Sequence, residues 1–258
     1  MKTWLQAFRP ALILAVLALG ATPYAQQPAR VPARTSAPVD LTGQWVSLVT
    51  DDWRWRMVVP PKGDTLYLPV NDAGKKMAAE WDAARDAAAG EACRAYGAGG
   101  IMQLPGRLRI SWDGDDTLKL ETDTGQQTRL FQFNPPAAPA GAPTWQGFSR
   151  AVWEVPGAGG RGRGGRGAGA AVGERPGSSM RVTTSNMRLG YYRRNGVPYG
   201  AGATMTEWFT TITEPDGATY LVVTKILEDS QYMSGPYVRT VQFKKENTTA
   251  GWNPIGCL

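Results

Sequence analysis

Residues 107–133 read RLRISWDGDDTLKLETDTGQQTRLFQF, and this stretch decides the fold. In 107–112, Leu108, Ile110 and Trp112 alternate with Arg107 and Arg109. In 117–122, Leu118 and Leu120 alternate with Lys119 and Glu121. In 127–133, Arg129, Phe131 and Phe133 share one face. A period of two places every second side chain on the same side of a strand. Asp113-Gly114-Asp115-Asp116 and Asp123-Thr124-Gly125 are turn chemistry at hairpin spacing. Three consecutive strands joined by tight turns are the start of a meander.

Working outward, the same grammar recurs at 43–50, 53–60, 64–69, 146–154, 180–186, 204–213, 219–227 and 237–244, with Glu214-Pro215-Asp216-Gly217 joining one more pair. One segment has helical character, near 72–90. Asn71 or Asp72 caps an Ala-rich run with Met77, Trp81 and Arg85 at i, i+4 spacing, ended by Gly90. The chain is therefore expected to be mainly β, an antiparallel meandering barrel or a strongly curved sheet, with a two-sheet sandwich as the runner-up.

The termini and low-complexity stretches set the domain plan. Residues 1–25 carry Lys2 and Arg9, an apolar run at 11–21 and small residues at Ala21 and Ala25. That is the pattern of a secretory signal peptide, although Pro23 sits badly for cleavage at Ala25. The apolar run is too short for a bilayer span, and no cysteine lies near the cleavage region to carry a lipid. Residues 26–40 read as a disordered spacer, and 41–258 as one β-rich domain. The Gly/Arg-rich stretch 156–179 reads as a disordered insertion in that domain. The expected location is periplasmic or secreted.

Charge and composition exclude several function classes. The formal charge is +6, but Lys2 and Arg9 leave with the signal peptide. Of the remaining +4, the 157–179 segment holds +3, through Arg161, Arg163, Arg166 and Arg175 against Glu174. The body carries about +1, which removes the basis for a nucleic-acid surface. The Gly/Arg segment retains at most a weak contact with anionic envelope polymers. The chain has no histidine and 2 cysteines, so histidine triads, Cys-His pairs, and His-based or Cys-rich metal sites are excluded. No cofactor is implied. In an oxidising compartment Cys93 and Cys257 are expected to pair; the alternative is two unrelated thiols.

Three strands would bring charge inside if their aromatic faces look inward. Arg129 travels with Phe131, Glu207 with Met205 and Phe209, and Arg239 with Tyr237, Val241 and Phe243. A buried charge needs a partner, so Glu207 paired with one arginine would leave the other for an acidic ligand. The alternatives are a structural ion-pair network, or the opposite face of 204–213, where Trp208 and Ile212 lie. Trp53-Arg54-Trp55-Arg56 reads as a strand with packed tryptophans and solvated arginines, Tyr191 to Gly196 as a surface turn, and Glu228 to Tyr232 as an ordered connection.

The second half resembles a broad group of uncharacterised exported bacterial β-rich proteins over about 100–245. The carrying residues are Thr144 to Ser149, Trp153-Glu154, Arg181 to Thr184, Asn195 to Tyr199, Thr206-Glu207, and Glu228-Asp229 to Tyr232 and Pro236. That group often has Pro-His-Ser where this chain has Pro198-Tyr199-Gly200, so no role of that histidine carries over. In the group the Trp-Glu strand runs almost directly into the Val-Thr-Thr strand, which marks the Gly/Arg stretch as an insertion. Gly43-Gln44-Trp45 is similar to the opening of lipocalin-like barrels, and implies a barrel that holds a ligand.

Three functions follow as expectations. The first is a barrel binding a small, partly apolar ligand in its interior, oriented by Arg129 or Arg239. The second is an envelope structural or interaction protein without a cavity. The third is a carboxylate-based isomerase, lyase or hydrolase using Glu207.

Overall fold

The computed structural model describes residues 30–50, 52–136, 139, 141–157 and 175–257, and from Val31 onward the chain forms one compact unit. The expected signal peptide and most of the Gly/Arg segment lie outside the described residues. Nine strands close into a barrel in the order β1-β11-β10-β9-β6-β5-β4-β3-β2. They are β1 (Gly43–Leu48), β2 (Arg107–Trp112), β3 (Thr117–Thr122), β4 (Thr128–Gln132), β5 (Phe148–Glu154), β6 (Ser179–Ser185), β9 (Thr204–Thr213), β10 (Thr219–Glu228) and β11 (Tyr237–Glu246). A separate hairpin holds β7 (Gly190–Arg193) and β8 (Val197–Tyr199).

The barrel is mixed, where antiparallel pairing throughout was expected. β4 and β5 run parallel and share only the pairs Phe131↔Ser149 and Gln132↔Arg150. A parallel neighbour requires the chain to return to the end at which β4 began before β5 sets out. Alternation fills the interior. Leu108, Ile110, Leu118, Leu120, Phe131 and Phe209 are buried in one core cluster.

Each end of the barrel is closed differently. At one end, residues 31–42 form a strap. Arg34 N donates to Asp115 O at 2.9 Å, Ala33 N to the Asp116 carboxylate at 2.8 Å, and Trp153 Nε1 to Ala33 O at 3.0 Å. The 26–40 spacer is thus packed on the barrel from residue 31, because Ala33, Val39 and Leu41 have apolar surface to bury there.

The other end carries a cap built from residues 49–106, the β7–β8 hairpin and 229–236, with its own apolar cluster. In place of one helix near 72–90 there are two, α2 (Asp72–Glu80) and α3 (Ala83–Ala88). The Asp82 carboxylate accepts from Ala84 N and Arg85 N and starts a new helix, while Trp81 turns extended. The Trp81 ring packs on Gly196, where a Cβ would meet it at 2.2 Å, and edge-on to Tyr191 at 6.5 Å. The expected surface turn at 191–196 is this hairpin, with Tyr191 and Tyr192 buried.

The expected strands 53–60 and 64–69 are absent. Trp53–Arg56 is a helical turn, α1, in which Trp53 is exposed and Arg56 buried. Arg56 Nε donates to Gln103 O at 3.0 Å, and Nη1 to Leu48 O. Backbone carbonyls hold the Arg56 guanidinium inside, which inverts the expected burial at Trp53 and Arg56. Among the described residues no helix is long and apolar enough to cross a membrane.

Cys93, in a 3-10 turn (Ala92–Tyr96), is bonded to Cys257. The C-terminal tail is also paired by Gly125 N to Ile255 O at 2.7 Å and Ile255 N to Asp123 O at 2.8 Å. The bond closes a long loop, so its loss acts mainly on the unfolded chain. Reduction, or Cys93→Ser, is expected to lower stability by roughly 2–5 kcal/mol. Urea unfolding with and without reductant measures this, and an unchanged midpoint would contradict it.

Candidate functional site

Inward alternation buries three charged side chains, Arg129, Glu207 and Lys225, at the level where barrel core gives way to cap core. Lys225 on β10 stands opposite Glu207 on β9 and Arg239 on β11. Arg129 reaches across from β4. Its Nη1 donates to Glu207 Oε1 at 3.0 Å, its Nη2 to Oε2, and Nη2 also to Thr184 Oγ1 at 3.4 Å. Thr184 is joined in turn to Ser149 Oγ at 2.8 Å. Arg129 and Glu207 are fully buried. The chain thus brings two of the expected site residues into a bidentate pair, the geometry in which a buried guanidinium and carboxylate best satisfy one another.

Lys225 is the interior cation that the sequence reading passed over. The signal was present: Leu221, Val223, Lys225 and Leu227 share one face of β10. Its Nζ donates to Gly99 O in α4 (Ala98–Ile101), a buried helical turn of the cap. Burial is the main reason that its pKa falls to about 7; Glu207 opposes the fall and Arg129 adds to it. Tyr199 and Tyr192 lie in the same region, and desolvation pushes both phenols well above their ordinary value.

Glu207 has both oxygens on Arg129, so it lacks the open carboxylate that acid/base chemistry needs. Arg239, the third expected site residue, lies apart from this pair, at the rim of the cap, in an ion pair with Asp52.

That rim holds a cleft of about 350 Å³, continuous through Asp52, Trp55 and Arg239 with an outer groove of about 700 Å³. Trp55 is its centre. The guanidinium of Arg193 lies 5.2 Å from the Trp55 ring centroid and that of Arg54 5.6 Å, within cation–π range. Tyr67 meets the ring edge-on at 5.5 Å. Arg193 also donates to Leu66 O at 3.2 Å, and burial lowers its pKa from the usual arginine value. Arg56, Tyr237 and Gln103 complete the inner wall. The strap end has a recess of about 600 Å³ over Ile110, Leu118, Trp112 and Trp153, with Arg34 and Asp40 at its mouth.

No protein-family model, no curated protein and no solved structure matches the chain.

Two stability experiments probe the interior layer. Arg129→Met leaves Glu207 charged and unpaired, and is expected to cost about 3–5 kcal/mol; Arg129→Met with Glu207→Met should recover most of it. Equal losses in the single and double variants would show that the pair does not act as a unit. Lys225 has a folded-state pKa below its unfolded value. Its burial penalty is therefore complete below about pH 7 and is relieved as pH rises towards 10.5. Lys225→Met should stabilise the fold by about a few kcal/mol at pH 6, with the gain fading by pH 10. A gain that stays constant across that range would rule out the titration.

Proposed function

We propose that the protein is a barrel-scaffolded binding protein for a small acidic ligand with an aromatic or apolar body, held in the rim cleft around Trp55. The observation that carries this reading is the charge of that cleft. Arg54, Arg56, Arg193 and Arg239 border the cleft and its groove, against Asp52 as the facing carboxylate. The body outside the Gly/Arg segment carries only about +1, so cationic groups are concentrated here. Planar guanidiniums recognise carboxylates, sulfonates or phosphates in bidentate fashion, and the Trp55 ring offers a flat apolar face. Asp52 would exchange its hold on Arg239 for solvent as the ligand's acid group takes its place.

The reading places Arg239 as a ligand-orienting residue and leaves Arg129 and Glu207 as the structural pair beneath. It also places the protein outside the cytoplasm. The secretory pattern of residues 1–25 and the Cys93–Cys257 bond support that compartment. The lipocalin-like opening at Gly43-Gln44-Trp45 fits a ligand-holding barrel. A second reading, an envelope structural protein without a ligand, is favoured by the filled interior, where Arg129 and Glu207 satisfy each other. In that reading the Gly/Arg segment makes the anionic-polymer contact.

One titration separates the two readings. The anionic aromatic probe 1-anilinonaphthalene-8-sulfonate should bind saturably to the folded protein and quench tryptophan emission. Arg193→Gln and Arg239→Gln should each weaken it about tenfold, the loss of one charge-assisted contact. An uncharged naphthylamine should bind more weakly than the sulfonate. Saturable binding that ignores both substitutions would remove the rim cleft from the reading, and no saturable binding would favour the structural role.

A further inference from the structure

The segment between α1 and Val70 departs from the rest of the surface. Twelve large apolar side chains are exposed among the described residues, and six of them fall within 53–67: Trp53, Met57, Val58, Val59, Leu66 and Tyr67. Scattered exposed apolar residues are ordinary, but a concentrated patch marks an interaction surface.

The local geometry makes the patch a knob. Arg56 and Pro60 are buried, while the three residues between them are each about half exposed. In a strand, side chains alternate between solvent and core; three successive exposed residues mean that the chain stands clear of the body. Pro60 and Pro61 supply no backbone N–H, so the knob cannot be drawn into a sheet. Tyr67, 76% exposed, is held at φ 64, a left-handed conformation unusual for a bulky residue. Trp53 is 61% exposed at the mouth of the outer groove.

Cations surround these side chains. Arg54 and Lys62 are exposed and Arg193 and Arg194 are half-buried at the edge; of the nearby carboxylates, Asp52 is engaged by Arg239, and half-buried Asp64 accepts from Leu66 N at 2.9 Å. We propose that the 53–67 knob docks the protein on an anionic lipid bilayer, with Met57, Val58 and Val59 entering the interface and Trp53 and Tyr67 at headgroup depth. A mix of Trp, Tyr and aliphatic tips flanked by Arg and Lys matches the interfacial region of a membrane. A protruding knob suits a fluid partner that deforms around it, whereas a protein partner needs a matching recess. Basic groups add attraction to anionic lipid that weakens with salt.

The proposal goes beyond the cleft reading and stands without it, since vesicle binding is measured with no cleft ligand present. The test is flotation of the full chain with vesicles of phosphatidylglycerol and phosphatidylcholine, against phosphatidylcholine alone. The protein should float with the anionic vesicles, with a blue shift of tryptophan emission, and binding should fall at high salt. The combined variant Met57→Ser, Val58→Ser, Val59→Ser should lose about tenfold or more in affinity, with an unfolding midpoint that shifts far less, because about half of each side chain is already exposed. Lys62→Glu, which leaves the apolar tips intact, should weaken binding severalfold. Three outcomes overturn the proposal. One is no flotation with either vesicle. Another is equal flotation of the triple-serine variant, which would assign membrane contact to the Gly/Arg segment. The third is concentration-dependent self-association abolished by the same substitutions, which would make the occupant a second copy of this chain.

Discussion

The pairing of Arg129 with Glu207 is the constraint on which the architecture turns. Two charges in an apolar barrel are tolerable only together; Arg129 gives both terminal nitrogens to Glu207, while its Nε is buried without a hydrogen-bond partner. The pair lies on the side of the barrel where backbone pairing is thinnest. β4 is held to β5 by two residue pairs, yet Arg129 reaches past β5 to Thr184 on β6 and Glu207 on β9. A side-chain bridge thus spans the seam that the parallel crossover leaves weak. Lys225, next to Glu207 on β10, finds its acceptor in the cap, at Gly99 O, and so couples the cap to the same layer. The layer separates two apolar clusters and specifies how one sits on the other.

The proposed reading puts function at the rim. Both Glu207 oxygens are taken by Arg129, and Phe131 and Phe209 pack in the core cluster of the same barrel. The rim is different. Arg193 lies over the Trp55 ring and donates to Leu66 O, Arg239 is paired with Asp52, and Arg56 is held by the carbonyls of Leu48 and Gln103. The Arg193 guanidinium lies over Trp55 already desolvated in part, so an arriving anion has less water to displace from it.

Where one physical rule governs, the sequence was legible. The strands from 107 to 133 and from 204 to 244 follow period two, bounded by Gly, Asp and Pro turns, and the structure keeps their faces, including the inward Arg129, Glu207 and Arg239. Cys93 and Cys257, the pair that the sequence suggested, are bonded. Legibility failed where tertiary contacts decide. Trp53 to Arg56 alternates like a strand, but Arg56 is drawn inward by the carbonyls of Leu48, at the end of β1, and of Gln103, 47 residues on. The break at Trp81 needs Gly196, which no local pattern announces. The β4–β5 direction depends on where residues 133–147 run, and composition does not encode a path. Lys225 was a failure of a different kind. Its face was readable, but a lone lysine among apolar residues looks like a solvated one until its register with Glu207 is known.

The cap divides into a fastened half and an offered half, and the division follows from what each must do. Cys93, the 3-10 turn and α4 are tied by the disulfide, by the Gly99–Lys225 contact and by the paired C-terminal tail, so they hold the barrel end shut. Residues 53–67 have no such ties at their tips. They are anchored at Arg56, through Asn195 Nδ2 to Pro61 O and Asp64 O, each at 2.9 Å, and through Leu66 O to Arg193. These anchors fix the base of the knob and leave Met57 to Val59 and Tyr67 outward. Apolar side chains displayed on a fixed base lose little conformational entropy when a surface covers them, whereas the same residues on a slack loop would lose more on binding. The fold thereby holds an apolar, cation-flanked tip in a standing position beside the arginine-lined cleft.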